Sequence, residues 1–361
     1  DRIGDWSSDV CSSDLIRLST DHIYGRGGGT GQHFSLHPTH IFTMTTGSNA
    51  WVTLLTRTSY LAGCLVLNAS LKKHKSAYPL VVFATSELPV EAREVLQSFG
   101  IEVHDIEFLE PRANNKVELA EHDHRFADTW TKLRCFELVQ YDVSVSSVHM
   151  LAIYRTGREV TSADLDGGPA LQRVVMLDSD MLVLRNMDEL MTMDLATDWI
   201  AAAHACACNP RKLAHYPRDW CVPSLAIAQI PTGDERPFPD FPTHRVPENC
   251  AHSLANLTNP LLPASFTKPT HRLLNSGLVV LHPSLDVFKR ITDVLHEDPI
   301  VSTFKFPDQD LLAYVFKDKY LPLSYRYNAL KTLKFCHTEM WRDEDVKNGC
   351  VTQSCSFPVQ N

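Results

Sequence analysis

Three β-branched, apolar runs separated by two helix-period runs follow Met44, and this alternation constrains the fold more than any other feature. WVTLLT (Trp51 to Thr56), PLVVFAT (Pro79 to Thr85) and IEVHDIE (Ile101 to Glu107) have strand character. Between them, SYLAGCLVLNASLKKH (Ser59 to His74) and PVEAREVLQSFG (Pro89 to Gly100) have helix character, the second with Pro at its start and Gly past its end. Strands alternating with helices predict an α/β fold: a mostly parallel central sheet with helices on both faces, its ligands lying beyond the carboxyl ends of the strands.

At such an end the stretch VVMLDSDMLVL (Val174 to Leu184) places Asp178 and Asp180 one residue apart after an apolar run. Two carboxylates this close repel unless water, hydrogen bonds or a cation compensate. A solvated turn and a cation site both satisfy that requirement, and a lone D-x-D does not choose between them.

Composition narrows the classes. The chain has 361 residues, 44% hydrophobic and 21% charged, enough for one large domain or two small ones. A net charge of -9 without a basic block argues against a nucleic-acid surface, and no apolar run reaches a membrane span. The ten Cys show no repeated C-x-x-C, which suits reduced, buried thiols and a cytoplasmic setting. His204, Cys206, Cys208, His215, Cys221 and Cys250 come closest to a zinc cluster, but their spacing fits no paired-ligand pattern, so no structural zinc is expected. The sequons at Asn68 and Asn256 are assigned no function.

Residues 1–43 read as a non-native or disordered leader. DWSSDVCSSDL (Asp5 to Leu15) has no structural period and matches an in-frame translation of a sequencing adapter. GRGGGTG (Gly25 to Gly31) lacks the Lys-Ser/Thr pair and preceding strand of a phosphate loop.

Several ordered blocks resemble glycosyltransferase family 8, especially its glycogenin-like and galactinol-synthase-like members. They are AWVTLLTRTSYLAGCLVLNASL, TWTKLRCFELVQYD, RVVMLDSDMLVLRNMDELM, LLNSGLVVLHPS, DQDLLAYVF and YNALKTL. The resemblance implies a GT-A type fold in one domain over residues 44–348. It implies transfer of a hexose, glucose or galactose, from a UDP-sugar to an acceptor with retention of configuration. Mn²⁺ or Mg²⁺ would be held by Asp178 and Asp180, and hard oxygen ligands suit either ion beside a diphosphate. By the same resemblance Leu54, Thr56 and Tyr60 contact uracil and ribose, and Lys132 lies near the phosphates. Asn275, Ser276 and Gly277 line the sugar pocket, with Gly277 permitting close backbone approach. Asp308 and Gln309 face the donor sugar as the catalytic pair, while Asp310 caps the following helix.

Three departures qualify the resemblance. Val143 to Gln172 and Cys221 to Arg245 interrupt family blocks and read as translated introns, since long structureless loops inside a compact domain are uncommon. The ending 349–361, GCVTQSCSFPVQN, diverges where the family has H-x-x-G/D-x-K-P-W, the source of a third metal ligand and a phosphate-binding Lys; His337 comes too early to be that ligand. Weak turnover is therefore expected, with an inactive nucleotide-sugar binder or scaffold as the alternative. A haloacid-dehalogenase-like phosphatase is the remaining rival, although its D-x-D opens the fold instead of following an α/β unit. A homodimer is compatible with this reading, and no acceptor Tyr is assigned.

Overall fold

The computed structural model describes residues 49–115, 117, 128–140, 172–208, 217, 220, 247–255 and 260–350. The leader 1–43, the segment 221–245 and all of 143–172 except Gln172 lie outside the described residues.

A seven-stranded sheet forms the centre, in the order β3-β2-β1-β4-β7-β6-β8. Its strands are β1 (Asn49–Leu55), β2 (Leu80–Ala84), β3 (Glu102–Asp105), β4 (Arg173–Leu177), β6 (Ile200–His204), β7 (Leu274–Leu281) and β8 (Tyr320–Leu323). Pairing is parallel from β3 through β4 and again between β6 and β8; β7 alone runs antiparallel to both neighbours. The mostly parallel sheet expected from the alternation is present. A separate two-stranded ribbon joins β5 (Met181–Val183) to β9 (Asn348–Cys350), pairing Met181 with Cys350. The first two residues of the divergent ending thus belong to a strand.

Strand side chains alternate between two cores, as a period of two requires. Val174 and Met176 of β4 join Val52, Phe136 and Val279 on one face, whereas Val175 and Leu177 join Trp51, Leu67 and Leu278 on the other. Helix α1 (Leu61–Lys73), entered through a single turn at Thr58–Tyr60, and α2 (Val90–Ser98) cover the second face. The first face carries the 3₁₀ segment Thr129–Gln140, α3 (Leu285–Glu297) and α4 (Pro307–Val315). In α3 the Ser284 hydroxyl accepts from the Val287 amide at 3.3 Å, an N-cap, and Val287, Ile291 and Leu295 point into the core at helical spacing. A short α5 (Lys331–Cys336) precedes β9 in the chain.

The direction of β7 builds the site. Because β7 is antiparallel to β4, its first residues lie beside the carboxyl end of β4: Leu177 pairs with Leu278, and the Asp178 amide donates to the Gly277 carbonyl at 2.9 Å. The carboxyl end of β1 adjoins the same point through its register with β4.

Candidate active site

Beyond these strand ends lies a cavity of about 340 Å³. All eleven residues singled out from the sequence line it: Leu54, Thr56, Tyr60, Lys132, Asp178, Asp180, Asn275, Ser276, Gly277, Asp308 and Gln309. A partly polar cleft of this size at a change of strand direction is where ligands bind in open α/β sheets.

Asp178, Ser179 and Asp180 form the turn between β4 and β5, and Met181 donates back to the Asp178 carbonyl at 3.3 Å. Helix α1 presses against this turn at Gly63, where a Cβ would stand 2.7 Å from the Ser179 carbonyl oxygen. Gly277 permits a similar approach from β7: a Cβ there would meet Met181 Cε at 2.7 Å, Asn275 Oδ1 at 3.0 Å and Asp178 Oδ2 at 3.2 Å. Asn275, Ser276 and Gly277 are strand residues of β7.

The charge compensation in this structure is a lysine. Lys132 Nζ lies 3.0 Å from Asp178 Oδ1 and 2.6 Å from Asp308 Oδ2, with the Ser276 carbonyl and hydroxyl oxygens each at 3.4 Å. Lys132 and Asp308 are 6% and 5% exposed, so this ammonium and carboxylate form a buried pair. Burial works against the ammonium, but Asp178 and Asp308 outweigh it and hold its pKa above the ordinary lysine range. Asp178 is pushed up to about 6, first by burial, with Asp180 and Asp308 adding to the rise and Lys132 opposing it. Its side chain keeps 42% exposure to the cavity, so solvent there softens the burial contribution.

Around this centre the other residues are fixed by hydrogen bonds. Asn275 donates to Gln309 Oε1 at 3.1 Å, and its own Oδ1 accepts from the Gly277 amide at 3.1 Å and from Asn328 at 2.7 Å. Asp308 and Gln309 occupy the first turn of α4, where Asp310 accepts from the Lys305 and Phe306 amides at 2.8 and 2.9 Å and so caps its own helix. The Cys350 thiol lies 3.2 Å from Asp180 Oδ2. At the other end, the Thr56 hydroxyl donates to Asp128, which also faces Arg57 Nε at 3.7 Å.

Asp128, Trp220 and Phe306 line the cavity without having been picked out from the sequence. Trp220 stacks on Phe306 with ring centroids 5.3 Å apart. Asp128 immediately precedes the TWTKLRCF block, and that adjacency is its one local signal. Of the candidate zinc cluster, His215 and Cys221 lie outside the described residues. His204 is engaged elsewhere: Tyr320 Oη is 3.0 Å from its Nδ1, and burial lowers its pKa to about 3. Asn68 is 6% exposed in α1, which removes that sequon from consideration.

An α/β sheet gathers an acidic turn, a buried lysine and an amide-rich wall around one cleft, and the comparisons with known proteins say which class of protein carries it. The chain belongs to glycosyl transferase family 8, whose sequence profile matches residues 160–348. It is a glycosyltransferase of GT-A fold, which removes the phosphatase alternative. The protein R707 of Acanthamoeba polyphaga mimivirus, itself uncharacterized, is 24% identical over 78% of this chain and 72% of its own length. Galactinol synthase 1 of Solanum lycopersicum is 26% identical over 82% of this chain and 69% of its own. Among solved structures, the galactosyltransferase LgtC in complex with donor and acceptor sugar analogs aligns at 14% identity with a TM-score of 0.46, over 84% of this chain and 87% of that one.

Proposed function

We propose that this glycosyltransferase moves glucose or galactose from a UDP-sugar to an acceptor hydroxyl with retention of configuration, using Mn²⁺ or Mg²⁺ held by Asp178 and Asp180. The observation that carries the reading is the meeting of the acidic turn, Lys132 and the β7 and α4 amides in one cleft. The donor set fits a hard divalent cation. Lys132 takes Asp178 Oδ1, while Asp178 Oδ2 and the Asp180 carboxylate, whose Oδ2 also meets the Cys350 thiol, present anionic oxygen at the cavity wall. When bound, the cation would neutralise negative charge developing on the departing diphosphate.

The chain's own groups account for the rest of the reading. Lys132 places a permanent positive charge at the same wall, suited to a phosphate oxygen. Leu54, Tyr60 and Thr56, the last oriented by Asp128, form a nucleoside wall that is apolar on one side and hydrogen bonding on the other. Gln309, its carbonyl fixed by Asn275, addresses the donor sugar together with Asn275 and Ser276. Asp308 is committed to Lys132, which makes it a positioning residue for that ammonium. The Cys350 thiol is one neighbour of Asp180, and sulfur suits Mn²⁺ less well than nitrogen or oxygen, so slow turnover is expected.

The test is incubation of the full chain with UDP-galactose and UDP-glucose and Mn²⁺, following UDP release and, by NMR, the anomer of the hexose product at early times. Release from one donor with a retained anomer supports the reading. Donor binding without release would leave a nucleotide-sugar binder, and an inverted product would refute retention.

A further inference from the structure

Cys206, Cys208, Cys250 and His337, all buried, converge from three separate parts of the chain. Cys206 and Cys208 follow β6, Cys250 follows the turn Pro247–Asn249, and His337 caps the carboxyl end of α5. One ligating atom from each, three Sγ and an imidazole nitrogen, lie within 4.8 Å of one another. His337 Nε2 stands 3.5 Å from Cys208 Sγ and 3.4 Å from Cys250 Sγ. Tetrahedral zinc, with bonds of about 2.3 Å to sulfur and about 2.0–2.1 Å to nitrogen, spaces a sulfur and a nitrogen ligand roughly 3.5 Å apart.

We propose that these four residues form a structural Cys₃His zinc site, separate from the cation site at Asp178 and Asp180. Three thiolates and a neutral imidazole complete a four-coordinate shell, which makes the site structural. Soft sulfur donors select zinc over the hard cations suited to the acidic turn. Sequence spacing hides this zinc set, because His337 is 129 residues from Cys208 and 87 from Cys250 and no local pattern announces it. The ion would staple the end of β6 to the end of α5. Ala205 and Cys206 on one side and Leu330 and Thr332 on the other line the cleft, so the staple fixes that wall.

Elemental analysis of the full chain, purified under reducing conditions without chelator, tests the site. About one zinc per chain is expected, released by a mercurial that titrates thiols. It should persist in Asp178→Asn and Asp180→Asn, and fall several-fold in Cys206→Ser and His337→Ala. Cobalt in place of zinc should give thiolate-to-metal charge-transfer bands and intense tetrahedral visible bands in the wild-type chain, a readout that does not depend on the variants folding. Cys336, whose thiol also reaches Cys206 and Cys208, should be dispensable. Zinc far below stoichiometry, cysteines found as disulfides by mass spectrometry, zinc lost with Asp178→Asn, or zinc lost as fully in Cys336→Ser as in Cys206→Ser would each overturn the assignment.

Discussion

Replacing Lys132 with Met keeps most of the side chain's volume and removes its charge from between two carboxylates. Asp308, with 7% of its side chain exposed, would be left as a buried anion with its close cation gone. Removing one partner of a buried pair costs about 3–5 kcal/mol. Asp178 adds little to this figure, because its side chain is 42% exposed and water can take over its solvation. Leaving a carboxylate charge buried and uncompensated costs free energy that protonation relieves, so the destabilisation should shrink as the pH falls toward the ordinary carboxylate range. Urea unfolding of the Lys132→Met protein, followed by circular dichroism, should show a loss of about 3–5 kcal/mol at pH 7.5 that shrinks steadily toward pH 5. Pairing it with Asp308→Leu should recover most of the loss, since an apolar pair of similar volume leaves no unpaired charge. A loss of about 1 kcal/mol or less at pH 7.5, or one unchanged at pH 5, would refute the picture of a buried pair.

Other expectations follow from the same geometry. Gly63→Ala should destabilise the chain by about 1–3 kcal/mol, because its Cβ meets the Ser179 backbone carbonyl and cannot be relieved by rotating a side chain; unchanged thermal stability would contradict this. With the Asp178 carboxyl pushed up to about 6, protons should compete with Mn²⁺ below that pH, weakening binding by as much as about tenfold per pH unit, and calorimetry showing constant affinity from pH 7 to 5 would count against it. Asn275→Ala, which frees Gln309 and removes the acceptor used by Asn328 and Gly277, should lower kcat by about a hundredfold while leaving Mn²⁺ affinity intact; an equal loss of metal binding would place the defect in folding.

The parts of this fold that can be read in the chain are those with short-range period. Strands β1 to β3 and helices α1 and α2 follow the alternation closely, since each run carries its own burial pattern. TWTKLRCFELVQ winds as 3₁₀ turns and breaks at Leu138 (φ -70°, ψ 36°), a local geometry that its side-chain pattern does not announce. The cleft residues were identifiable through family blocks, and the antiparallel course of β7 explains why blocks so far apart meet. What stayed hidden depends on long-range contact: the pairing of Lys132 with Asp178 and Asp308, the turn of Asp128 toward Thr56, and the gathering of three thiols with His337. In each case the partners come from segments whose distance along the chain carries no signal.

The measurement that bears most directly on the central claim is UDP release from the productive UDP-sugar, recorded with Mn²⁺ and with excess EDTA, for the wild-type chain beside Asp178→Asn and Asp180→Asn. Release by the wild type should depend on the cation and fall by about a hundredfold or more in each variant. EDTA-resistant release, or full Mn²⁺-dependent release from both variants, would contradict it.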